Sequence, residues 1–335
     1  MALSSGRTRG RALSRLVTAA IAATLVGTTA GTAMADSPAS GSSAARDAAR
    51  DAARGLSKIA TAPAQAAPAQ KDGAKSPARG LAAHRAVVAP SAKAPVMPLG
   101  AVNASGELYF YGPDGKGGLT SKELVDTGWD GLRAAAHVDH DRNGVADGTY
   151  VLSKAEEVWF SDGGAGKRVA DDWGQYDSFF SPGDLGGSKQ SDILVRDRDG
   201  VLFLYTANAD GSLPGRKKVG PGWGQFTEIT GRGDLTGDGR TDIVARDRDG
   251  VLWLYKGTGD ATKPFEARTK IGPGWNQFNE LVATGDVDLD GRADLIARNS
   301  DGSLWLYKGT GNASAPFKSR EKIGNSGWNQ YSWMF

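Results

Sequence analysis

The chain is expected to be all-β, a five-bladed β-propeller of four-stranded blades closed by strands from its two ends. Three observations lead there. Tryptophans near the ends of similar segments fall at Trp129, Trp173, Trp223, Trp275 and Trp328, with successive spacings of 44, 50, 52 and 53 by subtraction. Repeats of about 40 to 50 residues with several short strands fit propeller blades, whereas solenoid repeats are shorter or helical. Each unit offers four strand candidates separated by turn residues. The final segment, Tyr331-Ser-Trp-Met-Phe335, starts a unit and then stops, and the repeat region begins with the remainder of such a unit.

Residues 1–35 read as an export signal: Arg7, Arg9, Arg11 and Arg15 precede an apolar run from Leu16 to Val26 that is too short to span a bilayer. Ala33-Met34-Ala35 fits a small-x-small cleavage site, so the mature chain is expected to start at Asp36 and to be secreted to the extracellular side. A retained anchor is the alternative for this segment; no later segment suits stable membrane insertion. Removing residues 1–35 takes away four arginines and no acid, which lowers the formal charge from +2 to −2. No basic stripe interleaved with aromatics remains, which argues against a nucleic-acid partner. The chain has no cysteine, so an exported fold must draw its stability from core, metal or sheet closure.

Residues 36–98 are dominated by Ala, Pro, Ser, Lys and Arg with almost no aromatics. Such a segment cannot bury enough apolar surface to offset chain entropy, and it is expected to be a disordered linker. The propeller is assigned to residues 99–335.

The last unit illustrates the strands: Glu280 to Thr284, Asp294 to Arg298, Ser303 to Lys308 and Arg320 to Ile323. Asp197-Arg-Asp-Gly200, Asp247-Arg-Asp-Gly250 and Asn299-Ser-Asp-Gly302 supply hairpin chemistry between the second and third. The third strands, Leu202-Phe-Leu-Tyr205, Leu252-Trp-Leu-Tyr255 and Leu304-Trp-Leu-Tyr307, are apolar throughout and are expected to be buried on both faces. Blades begin near Leu132, Asp177, Thr227 and Asn279. The fifth is shared between Tyr331 to Phe335 and the strands around Gly100 to Ala104, Glu107 to Tyr111 and Lys122 to Asp126, a closure that removes free edges.

The chemistry concentrates in three nine-residue loops. Asp286-Val-Asp288-Leu-Asp290-Gly-Arg-Ala-Asp294 places carboxylates at positions 1, 3, 5 and 9. Its counterparts offer Asp139, Asp141, Asn143 and Asp147, and Asp234, Thr236, Asp238 and Asp242. Hard oxygens on a tight loop, with Gly at position 6 for the reversal, are what calcium requires, and calcium is the expected bound ion. Asp and Gly also make ordinary turns. The related segment Asp184 to Asp192 has Gly at position 3 and Lys189 at position 6, and is expected to be metal-free.

These loops resemble the FG-GAP/VCBS repeats of integrin α-subunit propellers and of many bacterial secreted proteins. The Lys-Ile-Gly, Gly-Trp-Asn-Gln-Phe/Tyr and Leu-Trp-Leu-Tyr-Lys-Gly elements, with five units, resemble the tachylectin-2 type of lectin propeller. The resemblances imply a monomeric binding module that recognises carbohydrate or cell-surface glycan. Candidate ligand residues are Trp223, Trp275, Asn276, Trp328 and Asn329: an indole face can stack on a sugar ring and the amides can bond hydroxyls. The same indoles have a second reading as packing between blades. A protein-adhesion or structural propeller is the alternative function.

No enzyme is expected. There is no Cys nucleophile, Gly-x-Ser-x-Gly elbow or His-Glu-x-x-His motif, and His137 and His140 flank a loop without a partner motif. The remaining enzymatic version is a glycan-active hydrolase using paired carboxylates.

Overall fold

The computed structural model describes residues 94–163 and 166–335. The export signal expected at 1–35 and nearly all of the linker expected at 36–98 lie outside them. Within them, twenty strands form five four-stranded antiparallel sheets. Blade I combines β1 (Leu99–Asn103), β2 (Leu108–Tyr111) and β3 (Glu123–Asp126) with β20 (Tyr331–Met334). Blade II holds β4 (Leu132–Val138), β5 (Gly148–Ser153), β6 (Val158–Ser161) and β7 (Lys167–Ala170). Blade III holds β8 (Tyr176–Gly183), β9 (Asp192–Asp197), β10 (Leu202–Tyr205) and β11 (Arg216–Gly220). Blade IV holds β12 (Phe226–Thr230), β13 (Ile243–Asp247), β14 (Leu252–Tyr255) and β15 (Thr269–Gly272). Blade V holds β16 (Phe278–Gly285), β17 (Asp294–Asn299), β18 (Leu304–Tyr307) and β19 (Glu321–Gly324).

The expected closure forms. Strand β20 pairs antiparallel with β1, Ala101 opposite Met334 and Val102 opposite Trp333. Gly100 and Phe335 exchange backbone hydrogen bonds of 2.9 Å. The ends of the repeat region therefore share one blade, and the innermost strands β20, β4, β8, β12 and β16 surround an axial cavity.

Residues 94–98 are packed rather than loose. Ala94 N donates to Gly291 O (3.1 Å), Val96 N to Gly144 O (2.7 Å) and Met97 N to Thr284 O (3.0 Å), while Pro95 O accepts from Asp286 N. Ala94 and Met97 are buried. The packed region thus includes the residues from Ala94 that precede Leu99. The composition of the preceding sixty residues masked a short apolar strap, Ala94-Pro-Val-Met97.

Blade-to-blade packing comes from a repeated device. In blade III, Arg196 Nη1 donates to Trp223 O (3.2 Å) and Phe226 O (2.6 Å) of blade IV. Arg246 does the same to Trp275 O and Phe278 O, and Arg298 to Trp328 O and Tyr331 O. Charge-assisted bonds of this kind contribute about 1.5–3 kcal/mol each. At the junction of blades I and II, Val102 occupies the corresponding place. There Trp129 stacks on Phe335, with ring centroids 5.7 Å apart and planes 10° apart.

The third strands differ from expectation in blades IV and V. Leu252, Leu254, Leu304 and Leu306 are buried, but Trp253, Tyr255, Trp305 and Tyr307 are only partly so. In every blade the register shifts at the second residue of this strand, as at Leu252/Trp253 and Leu304/Trp305. Such a bulge twists the outer strand. The aromatic ring there lies under a basic side chain: Arg268 is 4.2 Å from the Trp253 ring centre and Arg320 4.3 Å from that of Trp305.

Candidate metal-binding face

Each innermost strand of blades II to V ends in one of the nine-residue loops, so all four loops gather at one mouth of the ring. Their backbones are alike. Position 4 is left-handed in all four: Arg142 (φ 62°), Gly187 (76°), Gly237 (81°) and Leu289 (62°). Position 6 is left-handed too, at Gly144 (89°), Lys189 (78°), Gly239 (81°) and Gly291 (90°). The paired reversals aim successive amides inward. In blade V, Asp286 Oδ1 accepts from Asp290 N (3.0 Å) and Oδ2 from Gly291 N (2.6 Å). Asp294 Oδ2 accepts from Val287 N (2.9 Å) and its Oδ1 from Gly309 N (2.7 Å).

Carboxylates converge in three of the four loops. One oxygen each from Asp139, Asp141 and Asp147 lies within 4.8 Å of the others; the same holds for Asp234, Asp238 and Asp242, and for Asp286, Asp288 and Asp294. Thr236 sits beside Asp234, its hydroxyl 3.4 Å from Asp234 Oδ1. Position 5 varies. Asp238 joins its cluster, Asn143 Nδ2 donates to Asp141 Oδ2 (2.9 Å), and Asp290 turns toward Arg292 (3.1 Å) and Lys318 (3.7 Å).

The electrostatics suit a hard cation. Burial, then the neighbouring Asp141 and Asp147, push Asp139 up to about 6 despite the amide of Gly144. Burial pushes Asp242 and Asp294 up to about 7, and like charges in their loops add to this. Asp147 Oδ1 is buried with no hydrogen-bond partner, an unmet acceptor at the centre of an all-oxygen donor set. A divalent ion with six to eight oxygen ligands would satisfy it and remove the mutual repulsion.

The blade III loop has the shape without the charge. Asp192 Oδ2 accepts from Leu185 N (2.9 Å) and Gly186 N (2.6 Å), and burial pushes its carboxyl up to about 7. Asp184 Oδ1 is likewise unpartnered, but among the described residues no third carboxylate meets these two. A Cβ at Gly186 would lie 2.9 Å from Ala261 Cβ, so a neighbouring blade crowds the position where a ligand would stand.

Two lysines escaped sequence reasoning. Lys308 Nζ is 3.5 Å from Asp288 Oδ2 and 2.9 Å from Glu321, and Lys256 Nζ is 3.2 Å from Asp238 Oδ2. Both immediately follow a third strand, and their recurrence in Leu-Trp-Leu-Tyr-Lys was the available signal. In blade II the residue after β6 is Asp162.

On the tryptophan turns the structure corrects the stacking role given to Trp223, Trp275 and Trp328. They are 7%, 6% and 9% exposed. Trp223 packs on Tyr255 at 4.6 Å, Trp275 on Tyr307 at 4.4 Å and Trp328 on Tyr111 at 4.6 Å between ring centroids. Each indole is wedged between blades, so no ring face is left for a sugar. The amides beside them do reach solvent: Asn276 and Asn329 are exposed, as are Gln277 and Gln330. His137 and His140 are buried among aromatics, His137 against Phe335 and Phe110, His140 against Phe160.

No curated protein matches the chain. Among solved structures it is similar to Prp20p from Saccharomyces cerevisiae, whose reported partners are Gsp1p and histones (12% identity, TM-score 0.35, 68% of this chain and 61% of that one). It is also similar to the BP39L lectin from Burkholderia pseudomallei (14%, TM-score 0.43, 68% and 69%). A third is an engineered GH43 glycoside hydrolase (11%, TM-score 0.39, 68% and 51%). The chain spans about three fifths of the length of Prp20p and half that of the hydrolase. Residues 234–297, from the blade IV loop through that of blade V, match the FG-GAP-like repeat.

Proposed function

We propose that the chain is a calcium-loaded propeller that serves as a binding module. The observation that carries this reading is the convergence of three carboxylate clusters at one mouth of the ring, with Asp147 Oδ1 buried and unmatched. Asp139, Asp141 and Asp147 would hold one ion, with Asn143 in reach; Asp234, Asp238 and Asp242 a second, beside Thr236; Asp286, Asp288 and Asp294 a third. The ion would supply charge neutralisation and rigid loops, and would bind only the folded state. Asp290 contributes through the loop backbone rather than as a direct ligand.

The partner is a glycan, bound on the opposite rim. Support comes from the exposed amides Asn276, Gln277, Asn329 and Gln330, presented by turns that the buried indoles hold in place. Arg268 and Arg320 add a planar donor beside this rim, each stacked on a tryptophan and bonded to Gln225 or Gln277. Repetition around the ring would add avidity to weak sites. The expected role is non-enzymatic and extracellular.

A glycan array probed with the calcium-saturated chain tests this. Binding that falls at least tenfold in Asn276→Ala/Asn329→Ala, with an unchanged melting temperature, supports the reading. An array without binding overturns the glycan assignment and leaves a protein partner for the same rim.

A further inference from the structure

Of the charged groups lining the axial cavity, Glu228 and Glu280 pair with arginines, whereas Arg133 and Arg232 have no carboxylate within ion-pair distance among the described residues. Glu228 Oε2 lies 2.9 Å from Arg246 and Glu280 Oε2 2.8 Å from Arg298. Their other oxygens accept from the backbone of the next blade, at Leu281 N (2.6 Å) and Met334 N (2.7 Å). Arg133 spends its guanidinium on the carbonyls of Trp173 and Tyr176. Arg232, just after β12, has no carboxylate within ion-pair distance among the described residues. It is 5% exposed and reaches across the ring, Nη2 to His137 O (2.8 Å) and Nε to Ala283 O (3.4 Å), while Nη1 meets no partner.

A second unmet group lines the same cavity. His137 is 1% exposed; Nδ1 lies 2.9 Å from the Thr149 hydroxyl and Nε2 has no partner. With Thr149 donating to Nδ1, Nε2 carries the proton and becomes a donor. A buried guanidinium without an ion-pair partner is costly, and the carboxylate that acts on it electrostatically, Asp139, is already engaged by the amides of Asn143 and Gly144.

We propose that the axial cavity is an anion site, in which Arg232 Nη1 and His137 Nε2 bind a small monoanion of halide or short carboxylate type. The cavity, about 180 Å³, has room for a small anion together with ordered water. The strap Ala94 to Met97 bridges the loops of blades II and V, beside Thr284.

The test uses the full purified chain in saturating calcium at constant ionic strength. Gluconate, a bulky polyhydroxy anion, is replaced stepwise by chloride, bromide or acetate. The melting temperature is expected to rise saturably, by roughly 5–10 °C at a hundredfold excess over Kd. Arg232→Gln, which keeps a donor for the carbonyls but removes the charge, is expected to abolish that rise. Crystals in bromide should show an anomalous peak at Arg232 Nη1, and this decides the matter if the variant does not fold. A melting temperature indifferent to the anion, an undiminished response in Arg232→Gln, or a water in place of bromide overturns the site. Chloride and acetate arms tell halide from carboxylate.

Discussion

The loops of blades III and V share one backbone path and differ in what it carries. Both turn through left-handed residues at positions 4 and 6, and both end on an aspartate that collects amides of its own loop. In blade V, Asp288 joins Asp286 and Asp294. In blade III, Gly186 stands at the place of Asp288, hard against Ala261. The loop shape therefore comes from turn chemistry and the final aspartate. The convergence of three carboxylates comes separately, from one more aspartate at position 3 (Asp141, Asp288) or position 5 (Asp238).

The largest consequence concerns the metal. If blades II, IV and V each hold calcium, binding at a hundredfold excess over Kd contributes about 2.7 kcal/mol per site. Chelation should then lower the melting temperature by on the order of 20 °C for three sites in a domain of this size. Differential scanning calorimetry with and without chelator reads the difference, and an unchanged transition removes calcium from all three loops.

A pair of substitutions separates shape from charge. Asp192→Ala strips the buried amide of Leu185 and the partly buried amide of Gly186 of their acceptor and should cost about 3 kcal/mol, equally with and without calcium. Asp288→Ala should cost less than about 1 kcal/mol in chelator, where it relieves repulsion, yet lose one ion. Denaturant unfolding in both buffers checks this; equal calcium dependence of the two variants breaks the distinction.

Acid titration sharpens it further. Burial raises Asp192 to about 7 in the folded chain, against about 3.9 for an ordinary aspartate. The folded state then holds the proton more tightly, so its share of stability is present at low pH and is lost as pH rises from about 4 to about 7. In chelator, Asp192→Asn should flatten the stability profile across that window by up to about 1.4 kcal/mol per pH unit. Parallel profiles for the two chains contradict the assignment.

The smallest effect is at Lys308. An ammonium 3.5 Å from Asp288 competes with a cation by about 1 kcal/mol in high dielectric. Lys308→Gln should tighten the blade V site about fivefold while leaving blade II unchanged, as read by calorimetric titration.

Much of the ring was legible because its signals are local. The tryptophan period, the Asp-x-Asp-Gly hairpins and the orphan Tyr331 to Phe335 each report on a few neighbouring residues, and all reappear as blades, turns and closure. Contacts made across blades were not legible. Nothing in Leu-Ile-Ala-Arg298 indicates that the guanidinium reaches Trp328 and Tyr331, and nothing near Trp275 shows that Tyr307 covers its ring. The indole of Trp275 therefore admitted two readings until the neighbouring blade was in place. Arg232 was silent for the same reason, since its lack of a carboxylate partner appears only when five strands face one cavity. The strap was hidden by composition: four apolar residues carry little weight beside a long Ala- and Pro-rich stretch.

The most direct test is the number of calcium ions bound by the chelator-stripped chain, measured by isothermal titration calorimetry and native mass spectrometry together. Three ions are expected, falling to two in Asp288→Ala and staying at three in Asp184→Ala. No calcium uptake, or a fourth ion lost in Asp184→Ala, would contradict the division between a loop that is only folded and loops that are folded and charged.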